Sequence, residues 1–189
     1  MSERKDRMRR IRRDRRRQRI KERSFKKIAK NILSWFITVF AAAVVAYGFV
    51  AFMFQSVYMV GSSMSPTIKD GEKCTVNKIV YTLGEPDRFD IVAYRTIENP
   101  DSYYDIKRVI GLPGETVLIA NGTVYINGNQ VPNMPIEDYV FTAGLAEKTI
   151  TLGDDEYFLL GDNVNNSQDS RYLNVGNVKE SEILGRIKK

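Results

Sequence analysis

The segment Val60-Gly61-Ser62-Ser63-Met64-Ser65-Pro66-Thr67 places three hydroxyls within four residues, just after the longest apolar run of the chain. Such a cluster is either a polar turn or the loop of a serine nucleophile. A serine hydroxyl needs a neighbouring base to take its proton before it can attack a carbonyl. The 189 residues include no histidine, which excludes a Ser-His-Asp triad, a Cys-His pair and any histidine-ligated metal. The one cysteine, Cys74, allows neither an intrachain disulfide nor a Cys-rich zinc site. The base for any hydrolytic chemistry must then be a carboxylate or a lysine.

A lysine serves only when neutral, and its ordinary pKa of about 10.4 keeps it charged near neutrality. Burial among apolar groups disfavours the ammonium, so a catalytic lysine belongs on a strand inside the core. Asp105-Ile106-Lys107-Arg108-Val109-Ile110-Gly111-Leu112-Pro113-Gly114 offers such a strand. Alternation puts Lys107 and Val109 on one face and Ile106, Arg108 and Ile110 on the other. The plainer alternative is an exposed Lys-Arg strand face. The third candidate is Gly161-Asp162-Asn163-Val164-Asn165-Asn166-Ser167-Gln168-Asp169-Ser170-Arg171, which as a polar loop needs no function. A calcium loop fails at Val164, where an oxygen ligand is required, and for want of a closing Glu. As a supporting loop, Ser167 could hydrogen-bond a lysine amine while Asp169 and Arg171 pair to brace it.

The elements that must position these groups follow from charge and periodicity. Residues 1–30 hold 16 of the 29 Lys and Arg and 4 of the 23 Asp and Glu, a local balance of +12. The remainder carries 13 basic against 19 acidic residues, or −6, so the basic character belongs to an arm rather than to a domain. Ile32–Phe54 is 23 residues without a charge, long enough to cross a bilayer core of about 30 Å. The basic flank places the arm in the cytoplasm and the chain from about residue 56 outside. Ser63 follows Phe54 by nine residues, so it works within about 30 Å of the span. Beyond the span the pattern is β: Cys74–Tyr81, Phe89–Arg95, Tyr104–Ile110, Thr116–Ala120, Thr123–Ile126 and Tyr157–Leu160. Asn121-Gly122 is a type I′ hairpin signature, Asn127-Gly128-Asn129 marks a second hairpin, and Leu112-Pro113-Gly114 turns the chain after Lys107. Pro132–Lys148 reads as an irregular excursion. The expected fold is mainly β: a basic arm over 1–31, a single N-terminal transmembrane helix over 32–54, and a compact folded β-sheet or barrel-like catalytic domain over 55–189.

Taken together, the three polar stretches resemble the bacterial type I signal peptidases, membrane-bound Ser-Lys endopeptidases. Gly61-Ser62-Ser63-Met64-Ser65-Pro66-Thr67 is similar to the family's nucleophile box, where the serine before Met is catalytic, and this distinguishes Ser63 from Ser62 and Ser65. Arg88-Phe89-Asp90-Ile91-Val92 resembles the following core strand. Lys107, with Arg108 beside it, falls where the family's general base lies. Gly161–Arg171 resembles the last box, which implies Ser167 as the lysine's partner and Asp169 with Arg171 as support. Met59, Ile68 and Ile106 are by resemblance candidates for lining the substrate cleft, with core packing as the alternative. Where some relatives carry an oxyanion-binding serine two positions before the nucleophile, this chain has Gly61. Its backbone N–H or a water is then the expected second donor beside that of Ser63. The short segment between Lys107 and Gly161 resembles the compact Gram-positive type.

The resemblance implies an enzyme of the cell membrane that needs no cofactor or metal. Its partners would be preproteins bearing signal peptides, cleaved after small residues at Ala-x-Ala-like sites, together with membrane lipids and a nearby secretion translocon. Nucleic acid is not expected as a partner, although the Arg-rich arm alone also fits an RNA-binding segment. A non-catalytic, membrane-anchored β domain is the alternative of another class, and it needs neither Ser63 nor Lys107. A self-cleaving repressor relative would need a DNA-binding domain in place of the apolar span.

Overall fold

The computed structural model describes residues 2–95, 104–136 and 139–188 and, within the first helix, the side chains of Lys21, Lys27, Ile28 and those from Lys30 onward. The chain forms two units, residues 1–50 and 51–189. Helix α1 (Ser2–Met53) includes Lys30–Met53, a stretch of mean hydropathy 2.3. Its Trp35, Phe36, Phe40 and Phe52 are all exposed, as a lipid-facing surface requires. At 1.5 Å per residue these 24 residues span about 36 Å, enough for the hydrocarbon core. Most side chains of the basic arm, on which the lipid and RNA expectations rest, lie outside the described residues.

The second unit is mainly β. Among the described residues its strands are β1 (Phe54–Tyr58), β2 (Lys73–Asn77), β3 (Ile91–Arg95), β4 (Tyr104–Gly111), β5 (Thr116–Ala120), β6 (Thr123–Ile126), β7 (Asn129–Gln130), β8 (Ile150–Thr151), β9 (Glu156–Leu160), β10 (Val178–Lys179) and β11 (Ile183–Ile187). They form a seven-stranded sheet in the order β1-β2-β11-β3-β4-β9-β10 and a four-stranded sheet in the order β7-β6-β5-β8. Each pairing among the described residues is antiparallel. Strand β4, which carries Lys107, lies between β3 and β9 and is buried from Ile106 to Gly111. A strand covered on both faces reads as an apolar run, which is why Lys107 and Arg108 stand out in it. The two Asn-Gly turns have φ of 50° and 72° at Asn121-Gly122 and 50° and 77° at Asn127-Gly128, the positive pair that a type I′ hairpin needs.

Several boundaries differ from the sequence pattern. Phe54, expected as the last residue of the span, opens β1 instead. The strand expected over Cys74–Tyr81 stops at Asn77, whose side-chain oxygen accepts the Ile79 N–H at 3.0 Å and turns the chain into the short helix α2 (Val80–Leu83). Phe89 sits at φ 74°, outside extended geometry, so β3 begins two residues later than expected. Strands β1 and β11 carry no hairpin signature toward their central partners. β11 inserts between β2 and β3 by pairing that is distant in sequence. The excursion over Pro132–Lys148 contains a single 3₁₀ turn at Gly144–Glu147, with residues 137 and 138 outside the described set.

Candidate active site

Ser63 is displayed by the loop joining β1 to β2. The loop's base is closed by two backbone bonds: Met59 N–H donates to Glu72 O at 3.0 Å, and Gly71 N–H to Met59 O at 2.9 Å. Within it, Ser65 N–H donates to Ser62 O at 3.0 Å and Ile68 N–H to Met64 O at 2.9 Å, so the serines lie on a tight double turn. Met64 and Ile68 are fully buried and root that turn in the core, while Ser63 stays partly accessible.

Lys107 approaches from β4. Its side chain is 3% exposed, and Nζ lies 3.1 Å from Ser63 Oγ and 3.3 Å from Ile106 O. Burial pushes the amine below its ordinary pKa, against the opposing pull of the Asp105 and Asp169 carboxylates. A neutral amine within hydrogen-bond reach of a serine hydroxyl can take the hydroxyl proton.

The Gly161–Arg171 loop supports this pair. Asp169 and Arg171, both buried, form a two-point ion pair, Nε to Oδ1 at 2.8 Å and an Nη to Oδ2 at 2.9 Å. Arg171 also donates to the Thr142 carbonyl at 2.9 Å and to the Val164 carbonyl, which ties the excursion to the loop. Asp169 Oδ2 in turn accepts the Gly161 N–H at 3.1 Å. Arg108 points away from Lys107 and makes its own bidentate pair with Asp162 at 2.7 and 2.5 Å, with a further bond to Phe89 O at 2.8 Å. Its partner Asp162 lay within the loop the sequence singled out, but only the opposite charge hinted at the pairing. A planar guanidinium matched to a carboxylate fork is the strong form of such a contact.

The remaining expected site residues are placed as follows in the fold. Ser167 does not bond Lys107. Its Oγ is buried without a hydrogen-bond partner, while the amine is directed to Ser63 Oγ and Ile106 O. The Gly61 N–H, the expected second oxyanion donor, is engaged within its own loop. That group donates to Asp70 Oδ1 at 2.8 Å, a charged acceptor that holds the glycine at φ 83°. Met59, Ile68 and Ile106, the candidates for lining the cleft, are buried. At 3%, 0% and 1% exposure they share one apolar cluster with Met64, which gives the Ser63 turn a packed base.

Gly161 was legible as part of a motif but not for its physical reason. A Cβ there would press on Ser167 Oγ and lie 2.5 Å from the Ser63 carbonyl oxygen, which is backbone and cannot swing aside. Gly161→Ala is therefore expected to displace Ser63 and lower the cleavage rate about 100-fold. The overpacking should also cost about 1–3 kcal/mol of stability, measured by denaturation alongside the rate.

A partly accessible serine beside a buried amine, on a β domain that follows an apolar helix, has the features of a membrane-associated serine peptidase. Residues 32–189 match the family model described as signal peptidase, peptidase S26. Signal peptidase I T of Bacillus subtilis is 37% identical over 175 residues, 88% of this chain and 89% of its own. Signal peptidase I of Bacillus amyloliquefaciens is 35% identical over 178 residues, with 88% and 89% covered. A crystal structure of a signal peptidase I from Enterococcus faecalis aligns at 33% identity with a TM-score of 0.46, covering 56% of this chain and 98% of that one. The chain belongs to the signal peptidase S26 family. It is a serine endopeptidase of signal-peptide processing.

Proposed function

We propose that this enzyme cleaves preproteins through a Ser-Lys dyad, with Ser63 as nucleophile and Lys107 as general base. The observation that supports this most is the 3.1 Å approach of Lys107 Nζ to Ser63 Oγ with the amine removed from water. Ser63 Oγ attacks the carbonyl carbon of the scissile bond as its proton passes to Lys107 Nζ. The resulting oxyanion is met by the Ser63 N–H. Collapse expels the new amine, which takes the proton from Lys107, and leaves an acyl ester on Ser63. Lys107 then takes a proton from a water as it attacks the ester, and returns that proton to Ser63 Oγ as the ester C–O bond breaks, which restores the serine and the neutral amine. Asp169 with Arg171 and Asp162 with Arg108 hold the two sides of the site without touching the reacting atoms.

Residues 1–31 form the cytoplasmic arm, 32–53 the membrane anchor and 54–189 the extracytoplasmic catalytic domain. The positive-inside bias of the arm supports this orientation. The substrates are preproteins with small residues before the cleaved bond, met near the translocon, and the arm's charge favours anionic lipid headgroups.

The test is a pH–rate profile for preprotein cleavage in detergent micelles. Only the neutral amine can act, so the rate is expected to fall as pH drops through the lowered Lys107 pKa and to level off above it. The midpoint should lie below that of a free lysine, about 10.4. A rate indifferent to acid would sink the lysine base.

A further inference from the structure

Three contacts to the nucleophile turn come from residues the proposed chemistry leaves unused. Asn166 Nδ2 donates to Ser62 Oγ at 2.6 Å, and Asn163 Nδ2 donates to Ser62 O at 3.2 Å. The Asn163 N–H donates to Ser63 O at 2.9 Å. Both asparagines lie on one 3₁₀ turn, Val164–Asn166 with its cap, closed by Asn166 N–H to Asn163 O at 2.9 Å. Arg171 fixes that turn from beneath through the Val164 carbonyl, and Val164 itself is buried.

The two Asn163 bonds restrain carbonyl oxygens of consecutive peptides. Met64 and Ile68 root the C-terminal part of the turn, while at Ser62 and Ser63 these two bonds grip the backbone only along the line through those oxygens. On the N-terminal side the neighbour is Gly61 at φ 83°, the residue type that restrains the backbone least. The Ser62 hydroxyl supplies a third grip away from that line, and it is a side chain pointing from the turn to the opposite loop.

We propose that Ser62 and Asn166 form a latch that sets the position of Ser63 Oγ relative to Lys107 Nζ, so that both are positioning residues for the reaction. Ser62 then has a role distinct from that of its neighbour: one serine reacts and the other aims it. The latch rests on the Ser63–Lys107 assignment and adds to it a requirement for the asparagine side chain. Because both residues are at least partly exposed, the bond contributes little to folding, and its effect should appear in turnover.

The experiment measures kcat, KM and melting temperature for the full chain in detergent micelles, with a preprotein as substrate. The variants are Asn166→Ala, Ser62→Ala, the double variant and Ser62→Thr. Each alanine variant is expected to lower kcat roughly tenfold with KM changed less than about twofold, as misplacement of a reacting group does. The double variant should be no slower than the slower single variant, because both changes remove one bond. Ser62→Thr keeps the hydroxyl and should recover most of the lost rate. An unchanged kcat in either single variant overturns the latch. So do losses that multiply to about 100-fold in the double variant, or a kcat loss that only follows a fall in melting temperature. Failure of the underlying dyad would appear separately, as activity surviving the loss of Ser63 or Lys107.

Discussion

Ser63→Ala is expected to abolish preprotein cleavage, with a fall in kcat of at least about 10⁴-fold. The change deletes one oxygen from a partly accessible side chain that, among the described residues, hydrogen-bonds to Lys107 Nζ, at 3.1 Å. The turn that carries it is held by backbone bonds and by Met64 and Ile68, all untouched by the substitution. Folding should therefore be retained within about 1 kcal/mol, as judged by chemical denaturation. The combination of intact stability and lost turnover separates a nucleophile from a structural serine. The neighbouring hydroxyls provide the control: if Ser65 or Ser62 were the nucleophile, Ser63→Ala would leave an acylable serine, and a serine-directed acylating probe would still label the protein. Labelling of the Ser63→Ala variant at the rate of the parent would falsify the assignment.

Lys107→Met should be nearly as severe for turnover, about 10³–10⁴-fold, yet opposite in sign for stability. Methionine fills similar space without an amine to desolvate. In the parent, burial lowers the Lys107 pKa from its usual 10.5, so between the lowered and the usual value the unfolded chain binds a proton that the folded chain does not. Stability of the parent then rises with pH across that window. Lys107→Met removes this slope and should be at least as stable as the parent at neutral pH, while failing to cleave. Lys107→Arg is expected to be inactive as well, since a guanidinium stays protonated in the working range. A Lys107→Met enzyme with substantial activity would require another base, and the chain offers no histidine to supply one.

Much of the candidate site is legible in the sequence. The absence of histidine narrowed the base to a carboxylate or lysine, and the order of the three polar stretches carried the family resemblance. The Asn-Gly hairpins, the Leu112-Pro113-Gly114 turn and the uncharged span were equally plain, because each depends on chemistry within a few residues of chain. Local signals failed where pairing is distant. β11 is placed between β2 and β3 although about a hundred residues separate it from either, and its Gly185 and Arg186 weaken any strand pattern. The roles of Asp162, Asn163 and Asn166 failed for the same reason, since their partners Arg108, Ser62 and Ser63 lie on other loops and strands.

The sequence by itself determined which residue types are available for catalysis, where the chain is apolar enough for a membrane, and where it must turn. Tertiary structure alone decided which atoms meet. It buries Lys107 deeply enough to favour the neutral amine and brings it to a serine 44 residues earlier. It commits the Gly61 N–H to Asp70 and leaves the Ser167 hydroxyl apart from the amine it was expected to bind. It also turns Met59, Ile68 and Ile106 into the packed base beneath the nucleophile. The division has one physical cause. Turn preference, charge and apolar length are properties of short stretches of chain, whereas desolvation and hydrogen-bond partnership are set by whichever surfaces the folded sheet presses together.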